Sequence, residues 1–210
     1  MTSDQKIIIP IQEYRKRLSR ALDYATKIVI PQQDYDTIME FSKQWAEEKR
    51  KAKLHYEADG RYLDIRSLNG HLGQIALEHF LGKRFTDLDP MFGFEKNTYD
   101  LGPIGLKYGV KTHRVGNPPM IDVVGEDKRY PQIILTRDEI CPRTFYLLGL
   151  FPVSLLYHSD FSDAGLIYDD ELRKRQAKIP FFGVDLGKTF HTYNDLLNYA
   201  GNKWSLTKTL

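Results

Sequence analysis

The sequence predicts an α/β fold, with α+β as the alternative, in which a helical N-terminal extension leads into a central mixed sheet flanked by helices. Three observations point there. Apolar residues recur at helical spacing through the N-terminal third. The middle of the chain breaks into short apolar runs punctuated by Gly, Pro and Asp. The tail alternates charged and apolar segments. Residues 1–66 are expected to form the extension and residues 67–210 the α/β core.

Residues 10–26 set Ile11, Tyr14, Leu18 and Leu22 near one side of a helix, with Arg15, Lys16, Arg17 and Arg20 mostly elsewhere. A second helix is expected over 33–53, starting after Pro31 and ending in a charged run. Residues 55–68 give a mixed signal around Gly60. A third helix follows, capped by Ser67 or Asn69 and closed by Gly82. Residues 83–97 are loop-like, with Asp87, Asp89, Pro90 and Gly93. Short strands are expected at 98–101, 104–114, 121–124, 132–135 and 144–150, with a polar turn at 125–131. Residues 152–157 read as another strand or edge. The tail adds a charged helix over 169–178, a strand over 179–184 and a helix over 193–200.

The 210 residues suit one ordinary domain, or a domain with an appendage. At 41% hydrophobic and 12% aromatic the chain can build a core, which argues against wholesale disorder. A formal charge of +2 permits nucleic-acid binding without arguing for it. The single Cys141 excludes an intramolecular disulfide, and the six histidines show no zinc spacing. No apolar run is long enough to span a bilayer, and no secretory signal is visible, so a soluble intracellular protein is expected.

Chemistry gathers on the stretch from Thr98 to Arg114. Taken as a strand, residues 104–114 put Ile104, Leu106, Tyr108, Val110 and Thr112 on one face. Lys107, Gly109, Lys111 and His113 share the other, and Asp100 ends the neighbouring run. A carboxylate beside a lysine is what metal-assisted phosphodiester hydrolysis uses. The carboxylate holds a hard divalent cation through oxygen, and the lysine positions water or stabilises developing negative charge.

Asp100, an apolar strand ending Val110-Lys111-Thr112, and the preceding Gly73-Gln74-Ile75-Ala76 together resemble the PD-(D/E)xK nuclease superfamily, especially its small phage and restriction-type members. The resemblance covers roughly residues 68–150. It implies a restriction-endonuclease-like core and a metal-dependent deoxyribonuclease using Mg2+ or Mn2+. It also implies DNA as partner, no membrane, and the cytoplasm of a bacterial or phage-infected cell, and it leaves a homodimer open. Asp100 would bind metal, Lys111 would act at the water or scissile phosphate, and Gln74 or Glu78 would complete the metal shell. Lys107, His113, Arg114, Arg173, Lys174 and Arg175 would meet the nucleic acid. Two positions depart from the family pattern: Gly109 stands where the strand acid belongs, and Gln74 where the helix acid belongs. Glu78, one turn beyond Gln74, is the candidate displaced acid. The glycine also leaves room for a side chain arriving from another element.

Other readings stand beside this one. Asp100 suits a turn before Gly102-Pro103, and Lys111 an edge-strand guard against sheet pairing. His113 reads equally as a structural histidine, Glu78 as a surface charge, and the basic residues as solvated faces. Glu126-Asp127-Lys128 after Asp122 is a second acid-any-Lys placement, in a polar turn. Residues 183–189 imitate a phosphate loop but are one residue short between the glycines. The missing acids motivate an alternative class: a catalytically degenerate nuclease-fold protein serving as a DNA-binding or protein-interaction module.

Overall fold

The computed structural model describes residues 11–23, 25–51, 60–88, 99–114, 120–122, 130–151, 167–168 and 176–178. These form a mixed α/β arrangement of helices with a four-stranded mixed sheet, and a small three-stranded antiparallel sheet.

Helix α1 (Ile11–Leu22) buries Leu18. Strand β1 (Thr26–Val29) follows, where the sequence predicts no strand. Only Ile28 of its four residues is buried, because β1 lies on an edge, and so it carries little alternation to read. Helix α2 (Gln32–Lys51) matches its expected position to within two residues at each end. It starts after Pro31, and Ile38, Phe41, Ser42 and Ala46 make its buried face.

Helix α3 (Gly60–Leu81) is longer than expected. Ser67 and Asn69 lie inside it rather than capping it, and both are buried. Its second half is buried almost all round: Leu72, Ile75, Ala76, Leu77 and Leu81 face α2 or the sheet. It ends at Gly82 as expected, with φ 64°, the left-handed conformation that glycine adopts without steric penalty.

The main sheet has the order β1-β5-β4-β2. Strand β2 (Gly109–Arg114) runs parallel to β4 (Gln132–Arg137), and β5 (Thr144–Phe151) is antiparallel to both β4 and β1. All six residues of β4, an inner strand, are buried, so both of its faces are covered. The pairing shifts between Ile134 and Leu135, leaving Leu148 as the extra residue of a bulge beside Gly149, whose φ is 128°. The core joins Val110, Ile133, Leu135, Phe145 and Leu147 of the sheet to Leu72, Ile75 and Ala76 of α3. The small sheet pairs β3 (Met120–Asp122) with β7 (Gln176–Lys178), and β7 with β6 (Ile167–Tyr168).

Several expectations change. β2 begins at Gly109, not at residue 104, because Gly102–Ile104 form a 3-10 turn and Gly105 takes φ 82°. The alternation ahead of it comes from Leu106 and Tyr108 plugging the core from a loop. Residues 99–101 are a turn rather than a strand, closed by the Gly102 N–H donating to the Tyr99 carbonyl. Residues 176–178 are extended, not helical. The expected boundary at residue 66 falls inside α3, β1 is a strand of the same sheet that holds β2, and Ile28, Ile30 and Ile38 belong to this core. The elements expected at 152–157, 179–184 and 193–200 lie outside the described residues, as do Glu126, Asp127 and Lys128. No described helix is long and apolar enough to cross a membrane.

Candidate functional site

Helix α3 and strand β2 approach closely at Gly73. A Cβ there would collide with the Thr112 side chain, so only glycine allows the contact. The next residue, Gln74, is thereby held beside β2.

The segment 99–108 brings Asp100 to the same strand. The Leu101 N–H donates to the Tyr108 carbonyl at 3.1 Å, and the Leu106 N–H donates to the Leu101 carbonyl at 3.1 Å. Leu101, Leu106 and Tyr108 anchor the loop in the core. Asp100, half-buried, then lies along the open edge of β2. Its Oδ2 accepts from the Val110 N–H at 2.7 Å, and its Oδ1 accepts from Gln74 Nε2 at 2.8 Å. Gln74 and Asp100 are 26 residues apart in sequence and bonded in space. Burial raises the Asp100 carboxyl above the usual carboxylate range. The Val110 N–H, the charge of Lys111 and the Gln74 amide oppose that rise. Lys111 is thus an electrostatic neighbour of Asp100, and it is itself half-buried.

The space over Gly109 is filled. Gly109 is the register partner of Gln132 in the parallel β2–β4 pair, and a Cβ on Gly109 would meet Gln132 Oε1, Gln132 Cδ at 2.9 Å and Tyr130 Cε2 at 2.7 Å. A side chain does therefore arrive from another element, and it comes from β4 rather than from α3. Nothing in the sequence marked Gln132 or Tyr130, since only the parallel register places them over Gly109. Tyr130 meets Tyr99 edge-on, with ring centroids 4.9 Å apart, and Lys107 Nζ sits 5.9 Å from the Tyr99 ring centroid.

Glu78 takes a different role from the one the sequence suggested. Its side chain is 3% exposed, and both oxygens are engaged. Oε1 accepts from the N–H groups of Phe85 and Thr86 at 2.6 and 2.5 Å, and Oε2 pairs with Arg84 at 3.0 Å. The carboxylate fastens the chain leaving α3 and does not fill the gap over Gly109.

His113 is also buried, at 8% exposed, and cannot touch a phosphate backbone on the surface. Burial pushes its pKa down to about 3, against a smaller opposing effect of a hydrogen bond with the Leu135 backbone, so the ring is neutral. Lys107 and Arg114 are both exposed. Arg173, Lys174 and Arg175 lie outside the described residues.

A buried guanidinium at the far end of β4 was not legible as such. Arg137 donates to Asn69 Oδ1 at 2.7 Å, to the Pro142 carbonyl at 2.8 Å and to the Tyr35 hydroxyl at 3.2 Å. These neutral partners tie α2, α3 and the β4–β5 hairpin together, and burial lowers the Arg137 pKa. The hairpin itself is fixed by Asp138, which accepts from the Ile140 and Cys141 N–H groups and the Tyr146 hydroxyl.

Among the described residues no group of three or more His, Cys, Asp or Glu is placed to hold a metal ion. No protein-family model, curated protein or solved structure matches the chain.

Proposed function

We propose that the chain is a metal-dependent DNA phosphodiester hydrolase on a restriction-endonuclease-like core, with Asp100 and Lys111 at its centre. One observation carries the reading: α3 and the edge of β2 gather Gln74, Asp100 and Lys111 in one place. The oxygen donors there suit a hard cation such as Mg2+ or Mn2+, with Asp100 as its anionic ligand and the Gln74 amide beside it. Such a cation, when bound, supplies charge neutralisation at the phosphate and a more acidic water. Each carboxylate oxygen of Asp100 spends one lone pair on an N–H and keeps another. The Val110 N–H and the Gln74 amide fix the carboxylate's orientation. Lys111 brings a positive charge for the developing negative charge on the phosphate oxygens. Lys107 and Arg114, both exposed, would hold neighbouring phosphates.

The test is incubation of the full chain with plasmid and single-stranded DNA in Mg2+ or Mn2+. Cleavage should appear with the wild type and disappear in Asp100→Ala and Lys111→Ala. Cleavage surviving both substitutions would remove the assignment.

The engagement of Glu78 by Phe85, Thr86 and Arg84 favours a second reading, a nuclease-like fold that binds DNA or protein without cutting. It expects no cleavage in any metal, and DNA binding that weakens steeply with salt.

A further inference from the structure

We propose that Gln132 supplies, through Oε1, the second protein oxygen to a divalent cation held by Asp100, in place of the acid absent at residue 109. The inference rests on the reading of Asp100 as a cation ligand and adds a residue from a different strand.

Position comes first. Gln132 pairs with Gly109 across a parallel ladder, so the two residues project to the same face. Its amide occupies the volume that a side chain on residue 109 would claim. Gly109 and Val110 share one peptide unit. Its N–H, on Val110, is the donor to Asp100 Oδ2, so Gln132 Oε1 lies over one residue of β2 and the Asp100 carboxylate bonds the N–H of the next.

Orientation comes second. Gln132 Nε2 donates to the Tyr130 carbonyl at 3.1 Å. Turning the amide over would set oxygen against oxygen there, so Oε1 is the end presented at Gly109.

The third observation concerns the oxygen itself. Gln132 is 5% exposed, and among the described residues its buried Oε1 has no hydrogen-bond partner. Buried acceptors are almost always satisfied, and an orphan one calls for a donor or a cation. Amide carbonyl oxygens are ordinary ligands of hard divalent ions. Affinity in such sites follows the number of charged ligands, so one carboxylate with neutral oxygens makes a weak site that an added carboxylate would strengthen.

The experiment titrates Mn2+ alone into the full chain at pH 7.5, with free Mn2+ read by electron paramagnetic resonance. Wild type, Gln132→Leu, Gln132→Glu and Asp100→Asn are compared, each checked for folding by circular dichroism. Gln132→Glu should tighten Mn2+ binding about tenfold or more, and Gln132→Leu should weaken it by a similar factor. Asp100→Asn should abolish it. If Asp100→Asn abolishes binding while both Gln132 variants bind as wild type, the role of Gln132 is overturned and Asp100 keeps its own. If wild type and Asp100→Asn are indistinguishable, both readings fall. Should Gln132→Leu fail to fold, Gln132→Asn takes its place, since it withdraws the amide oxygen by one methylene without adding charge; it should weaken Mn2+ binding, and wild-type affinity in it would overturn the role of Gln132.

Discussion

Replacing Glu78 by alanine separates a structural carboxylate from a catalytic one, because the two roles change stability in opposite directions. The substitution strips the acceptor from two N–H groups, those of Phe85 and Thr86. Phe85 is buried, so its N–H has little access to replacement water, while Thr86 is half-buried and can be partly rehydrated. Hydrogen bonds to a charged acceptor contribute about 1.5–3 kcal/mol each. The ion pair with Arg84 adds little, since Arg84 is 70% exposed and such pairs contribute roughly 0–1 kcal/mol. With rehydration at Thr86, Glu78→Ala should cost about 2–4 kcal/mol. Glu78→Gln keeps a neutral oxygen for the same N–H groups and should cost about half as much. Arg84→Ala should stay within about 1 kcal/mol of wild type. Urea unfolding followed by circular dichroism measures all three as shifts in midpoint at constant slope. A Glu78→Ala protein as stable as wild type or more so, with Mn2+ binding lost, would refute the reasoning. It would reveal a carboxylate kept for function at the expense of stability.

The neutral His113 should make stability pH-dependent. Its folded pKa of about 3 lies below the ordinary histidine value near 6.5, so the unfolded chain takes up the proton first. Its contribution is therefore complete above about 6.5 and is lost as pH falls toward about 3, with a slope of up to ~1.4 kcal/mol per pH unit. Denaturant midpoints of His113→Leu should show a shallower loss over that window, and parallel curves for the two proteins would exclude the effect. Gly109→Ala should lower stability by about 1–3 kcal/mol, because its Cβ meets Tyr130 and Gln132. An unchanged thermal midpoint would mean that the two side chains yield without strain.

Much of the scaffold was legible because its signals are local. α2 announces itself by Pro31 and the spacing of Ile38, Phe41 and Ala46, and β4 and β5 by apolar runs. The end of α3 is readable at Gly82. The missing strand β1 has one buried residue to betray it, and α3 is longer than expected because residues 60–66 carry no strong pattern. The false start of β2 has a different origin, since Leu106 and Tyr108 alternate like a strand while serving a loop. At the site, Gln74 and Asp100 could be named together from the sequence. Their hydrogen bond depends on the Gly73–Thr112 contact, which only the fold reveals. The burial of His113 and the engagement of Glu78 are likewise tertiary facts. Strand alternation tells which residues share a face, not whether that face is covered. The filling of the space over Gly109 needs the parallel register of β2 with β4, which no local pattern encodes.

The most direct test of the central claim is a crystal structure of the full chain soaked in Mn2+, with the ion located by its anomalous signal. A peak about 2.0–2.3 Å from an Asp100 carboxylate oxygen, close to Gln74, is the expected result. A peak at Glu78 or elsewhere, or no peak beside Asp100 at saturating Mn2+, would contradict it.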